Sequence, residues 1–138
     1  MQPPAYFFMS KVKTNTLKNY VFAYLPALLW ALVIFFLSNQ EVLPGFTVSL
    51  LDFIFKKAAH MFVYAVLYLL LFRAYFLTQK ARKNAKWQYL VPIILCLFYA
   101  ISDELHQSFV PGRHPSPRDL AYDLLGVTTV LLYQLKII

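Results

Sequence analysis

The chain has 138 residues, 60% of them hydrophobic, 18% aromatic and 14% charged, with a formal net charge of +7. A soluble domain carries roughly 25% charged residues, so this composition makes lipid the main solvent and leaves no length for a separate soluble module. Basic charge of this kind fits loops held on the cytoplasmic side of a membrane; no basic stripe on a soluble fold accompanies it, and no nucleic-acid partner is expected.

Residues 1–19 contain Lys11, Lys13 and Lys18 with no long apolar run and no small-x-small cleavage signal, which reads as a cytoplasmic tail. The first helix is predicted over about 20–38, uncharged and close to the roughly 20 residues that cross a hydrocarbon core, with a kink at Pro26. Pro44-Gly45 marks a turn, and Val48 to Phe55 reads as a short interfacial helix. The second helix is predicted over 58–77, apolar except for His60 near its start and Arg73 near its end, the latter snorkelling to the interface. A short basic connection with Lys80, Arg82, Lys83 and Lys86 precedes a third helix over about 89–109. Pro111-Gly112 and Pro115 to Pro117 break the chain into a tight loop. The fourth helix is predicted over 119–138, with Asp119 as its opener or N-cap.

Orientation follows from where lysine and arginine fall. One side collects Lys11, Lys13, Lys18, Arg73, Lys80, Arg82, Lys83, Lys86 and Lys136. The other has only Lys56, Lys57, Arg113 and Arg118, together with Glu41, Asp52, Asp103, Glu104, Asp119 and Asp123. The expectation is an all-α integral membrane four-helix bundle, one domain over 1–138, with both termini cytoplasmic and a polar pocket at the extracytoplasmic side.

The pocket is built from spacing. Lys57, His60 and Tyr64 stand at i, i+3 and i+7, one stripe of the second helix. Tyr99, Asp103 and His106 or Gln107 form a similar stripe on the third helix, and Asp119, Asp123 and Gly126 on the fourth. Charges at one membrane level are costly unless they pair or line a wet cavity, so the three stripes imply a shared pocket. Glu104, Asp103 and His60 are the candidates for proton transfer; Lys57, Tyr64, Gln107, Arg113, Asp119 and Asp123 are the candidates for holding a ligand. Arg113 suits a phosphate or carboxylate, because its planar fork binds such groups in a bidentate manner.

Each stripe also has a plain structural reading. Lys57 and Lys56 read as interfacial anchors, Asp119 as a cap, and Gly126 as a place for close helix packing. No fixed metal-ligand spacing and no cofactor motif is present, so neither metal nor cofactor is expected. Cys96 is the only cysteine, which rules out an intrachain disulfide.

At these residues the sequence resembles the VanZ-like family of small bacterial membrane proteins. Lys57-Ala58-Ala59-His60-Met61-Phe62-Val63-Tyr64 is similar to the family's K-x-x-H-x-x-x-Y. Asp103-Glu104, Gln107, Pro111-Gly112-Arg113, Ser116, Asp119, Asp123 and Gly126 are similar to its D-E-x-x-Q-x-x-x-P-G-R…S-x-x-D…N-x-x-G. Ser38 and Gln40 resemble a polar patch at the end of the family's first helix. Lys56 stands where the family commonly has Asp, and Asp123 where it commonly has Asn.

The resemblance implies a multi-pass protein of the bacterial cell membrane with a cell-envelope role, tied in some members to resistance to teicoplanin. It supplies no reaction. Three readings follow: a pocket that binds an envelope lipid, a cell-wall precursor or the lipoglycopeptide without turnover; a membrane-embedded hydrolase or transferase acting on a lipid-linked or peptidoglycan substrate; or charges that only hold the helices together. Partners beyond the lipid bilayer and that ligand are not indicated, and the oligomeric state stays open.

Overall fold

The computed structural model describes residues 16–40, 49–78, 86–113 and 115–138. They form four helices, α1 (Thr16–Ser38), α2 (Ser49–Thr78), α3 (Trp87–Gln107) and α4 (Pro117–Gln134), and no strand occurs among the described residues. α1, α2 and α3 are each long and apolar enough to cross a membrane. Their outward faces agree: Phe22, Phe36, Phe62 and Phe98 are all more than 60% exposed, as suits helices whose outer faces meet lipid.

α1 and α3 run unbroken through Pro26 and Pro92. α2 begins at Ser49, so the segment expected to be a separate interfacial helix is instead its first two turns. No proline or glycine interrupts the chain there, Asp52 sits favourably in the first turn, and Lys56 pairs with it across one turn at 2.8 Å. The Pro44-Gly45 turn and the basic residues Lys80, Arg82 and Lys83 lie outside the described residues.

α4 differs from expectation at both ends. Its N-cap is Ser116, not Asp119: the Ser116 hydroxyl accepts from Arg118 N–H at 3.2 Å and Pro117 occupies the first helical position, where its missing N–H costs nothing. At the other end Lys136 takes a left-handed conformation (φ 57°). Lys136 N–H then donates to Tyr133 O and Ile137 N–H to Leu132 O, both at 3.0 Å, a paired closure that stops the helix four residues early.

α2 is the central element. It packs on all three other helices and most extensively on α4, whereas α1 and α3 barely meet. Ile34, Tyr64, Leu67, Tyr68, Cys96, Ala100 and Val127 form the buried core. The α2–α4 approach depends on Gly126, where an added Cβ would lie 2.1 Å from the Met61 carbonyl oxygen. Side chains also tie helices through backbone carbonyls: Trp30 Nε1–H donates to Val63 O at 2.8 Å and Tyr99 O–H to Ala31 O at 2.5 Å.

Candidate functional site

The ends of α2, α3 and α4 near His60, Asp103 and Asp119 bring every expected site residue into one neighbourhood, divided into three parts. The first is the α2–α4 seam. Lys57 Nζ pairs with Asp119 Oδ1, and the ammonium also lies 5.5 Å from the Phe53 ring centre and 5.6 Å from that of Tyr122. One turn further, His60 Nδ1–H donates to Asp123 Oδ1 at 2.9 Å. Both pairs arise because stripes at i, i+3 on α2 and i, i+4 on α4 face each other across the contact that Gly126 permits. Asp123 is fully buried, and its Oδ2 has no partner among the described residues.

The second part joins α2, α3 and α1. Asp103 is buried and its Oδ2 accepts from Gln107 Nε2 at 3.0 Å, one turn along α3, and from Tyr64 O–H at 3.4 Å. Gln107 Nε2 also reaches Ser38 Oγ at 3.4 Å, linking the end of α1 to the same chain of bonds.

The third part is the connection into α4. Glu104 Oε2 accepts from Ser116 N–H at 2.8 Å, so a carboxylate on α3 satisfies the backbone at the start of α4, while Oε1 is buried without a partner among the described residues. A Glu104→Ala variant is therefore expected to loosen the start of α4 and cost about 1 kcal/mol, as loss of a cap does; Glu104→Gln retains a carbonyl acceptor and is expected to melt close to wild type. Thermal unfolding of the detergent-solubilised variants checks this. Asp103 and Glu104, adjacent in sequence, thus point to different partners, as neighbours on a helix must.

Between α1, α2 and α3 lies a cavity of about 260 Å³. Its walls are mostly apolar, from Ile34, Leu37, Phe55 and Val63, and its polar lining comes from His60, Tyr64, Asp103, Gln107, Arg113 and Lys56. Arg113 Nη2–H donates to the Leu37 carbonyl at 3.1 Å, which anchors the guanidinium over the end of α1, and its buried Nε has no partner among the described residues.

Five of the expected site residues therefore line one cavity: His60, Tyr64, Asp103, Gln107 and Arg113. Lys57, Glu104, Asp119 and Asp123 do not line it. Lys56, read from sequence as an anchor, does. Its signal was present in the spacing, since Lys56, His60 and Val63 stand at i, i+4 and i+7 and so share a face of α2. Ser38 joins it through the weakest of the motif matches. His106 packs against Phe35 with ring centres 4.7 Å apart and planes tilted by 35°, and has a buried Nε2 without a partner among the described residues. Among the described residues, no three His, Cys, Asp or Glu side chains are grouped to hold a metal ion.

No curated protein and no solved structure matches this chain. A family model described as VanZ/LLP1 matches residues 6–136, which covers all four helices and both motif stretches around the cavity and seam. With so nearly the whole length matched, the chain belongs to the VanZ/LLP1 family.

Proposed function

We propose that this VanZ-family protein binds an amphiphilic cell-envelope ligand in the cavity between α1, α2 and α3, with the cavity mouth on the extracytoplasmic side of the bacterial cell membrane. The ligand class is an envelope lipid, a cell-wall precursor or the lipid-bearing part of a glycopeptide of the teicoplanin type. One observation carries the reading: a single cavity combines hydrocarbon walls with an arginine whose Nε has no partner among the described residues. Apolar walls with a few convergent polar groups are the usual make-up of a small-molecule site, and guanidinium is the side chain best shaped for phosphate or carboxylate.

The topology in this proposal is one domain over 1–138 with both termini cytoplasmic, supported by the asymmetry of Lys and Arg between the two ends of the helices. α4 then crosses as a fourth span. It has 18 residues and carries Asp119 and Asp123, and the pairing of both acids with α2 lowers the cost of placing it in lipid.

A second reading, an enzyme with Glu104 as general base, is favoured by the buried Glu104 Oε1 without a partner among the described residues. One experiment separates the readings: teicoplanin susceptibility of a sensitive bacterium expressing wild type, Glu104→Gln and Arg113→Ala, with membrane abundance measured for each. Binding without chemistry predicts that wild type protects, Arg113→Ala fails at normal abundance and Glu104→Gln still protects. Failure of Glu104→Gln at normal abundance favours the enzyme. Loss of both variants from the membrane makes the charges structural, and a wild type that never protects removes the resistance role.

A further inference from the structure

A second cavity, of about 440 Å³, lies along the same crevice between α1, α2 and α3, lined by residues including Val21, Tyr24, Leu28, Leu67, Leu71 and Leu95. It begins one helical turn from the first cavity on every helix. Ala31 follows Ile34 on α1, Leu67 follows Val63 on α2, and Tyr99 follows Asp103 on α3. At the level between them stand the Trp30–Val63 and Tyr99–Ala31 hydrogen bonds. The two cavities thus follow one another along the same faces of α1, α2 and α3.

Their chemistry differs in an ordered way. The first has Arg113 and Lys56 at its lining; the second is lined by hydrocarbon and the rings of Tyr24 and Tyr99, with no charged side chain among the described residues. A charged head group is too costly in the second stretch, so it accepts only a chain. Length narrows the choice. From Ser38 to Val21 along α1 the crevice runs ~25 Å at 1.5 Å per residue, whereas one leaflet of a ~30 Å hydrocarbon core is only ~15 Å deep. A chain that follows the crevice from a head group at Arg113 passes the bilayer midplane, which the acyl chains of one leaflet do not do.

We propose that the two cavities are one site for a polyprenyl phosphate: an anionic phosphate at Arg113 and a single isoprenoid chain longer than a leaflet, laid between α1, α2 and α3. This rests on the head-group cavity proposed above and adds the chemical class of its ligand. Trp30 and Tyr99 brace α1 where the chain crosses from one stretch to the next.

The test measures affinity of the full chain in detergent for undecaprenyl phosphate, farnesyl phosphate, undecaprenol and inorganic phosphate, read as ligand-dependent shifts in melting. Wild type is expected to bind undecaprenyl phosphate about tenfold or more tightly than farnesyl phosphate, and both more tightly than undecaprenol or inorganic phosphate. Leu28→Trp and Leu95→Trp fill the second stretch from α1 and from α3; Leu28 is 60% and Leu95 41% exposed, so both variants are expected to fold. Each should reduce the long lipid to the affinity of the short one and leave the short one unchanged. Arg113→Ala should weaken both phosphates and leave undecaprenol unchanged. Equal affinity of wild type for the long and short phosphates overturns the chain site while the head-group cavity stands. Undecaprenol or inorganic phosphate binding as well as undecaprenyl phosphate overturns the joint site. If neither prenyl phosphate binds, the phosphate assignment at Arg113 fails and the chain assignment with it.

Discussion

Gly126→Ala is expected to be among the most damaging single substitutions in this protein, although it adds one methyl group. The added carbon would lie 2.1 Å from the Met61 carbonyl oxygen, 2.8 Å from its carbonyl carbon and 2.9 Å from its Cα, all backbone atoms of α2. A side chain in that position could rotate away; a helix backbone cannot, so α2 and α4 must separate. Overpacking of a tight contact typically costs 1–3 kcal/mol, and a clash with backbone belongs at or above about 3 kcal/mol. Separation also draws Asp119 from Lys57 and Asp123 from His60, whose bonds span the same seam. The expected result is a large fall in melting temperature and in the monodisperse fraction after extraction. Thr128→Ala, at an exposed position two residues further along α4, serves as the control and is expected to behave as wild type. Equal melting of the two variants would show that α2 and α4 are not in the close contact described.

The second large effect is at Asp123, and its size depends on what replaces it. Asp123 is fully buried and accepts from His60 at 2.9 Å. Asp123→Leu removes the acceptor and strands the His60 Nδ1–H. Breaking a buried pair from one side costs about 3–5 kcal/mol, because the surviving polar group has lost both water and partner. Asp123→Asn keeps a carbonyl oxygen where Oδ1 stands and removes a buried charge, so it is expected to melt within about 1 kcal/mol of wild type. His60→Leu combined with Asp123→Leu should cost less than the sum of the two single changes, since replacing both partners leaves neither stranded. Additive losses in that cycle would refute a direct His60–Asp123 coupling.

These two expectations bear on function because they separate the seam from the cavity. Lys57, Asp119, His60 and Asp123 hold α4 on α2, and that contact fixes the face of α2 from which Tyr64 reaches Asp103, itself bonded to Gln107. Variants on the seam should reduce abundance and function together. Variants at Arg113 should reduce function alone. The contrast turns a mixed cluster of charges into two groups with distinct assays.

The sequence by itself determined the helical class, the approximate course of the helices and the stripes on which their polar groups stand. Those follow from local rules: uninterrupted apolar runs demand helices in lipid, and residues three, four and seven apart must share a face. It also pointed to Gly126 as a packing position before any partner was known. Only the tertiary structure decided which polar groups serve each other. Lys57, expected at a ligand, is committed to Asp119, while Lys56 lines the cavity; the rotation of α2 against α4 and α1 sets that difference, and spacing along one helix cannot report it. Ser116 displaced Asp119 as the cap because Pro117 fits the first helical position and Glu104, twelve residues away, reaches its backbone. The two cavities were equally invisible in one dimension, since they are gaps left where α1 and α3 meet least, and a gap belongs to the packing of helices and not to any residue.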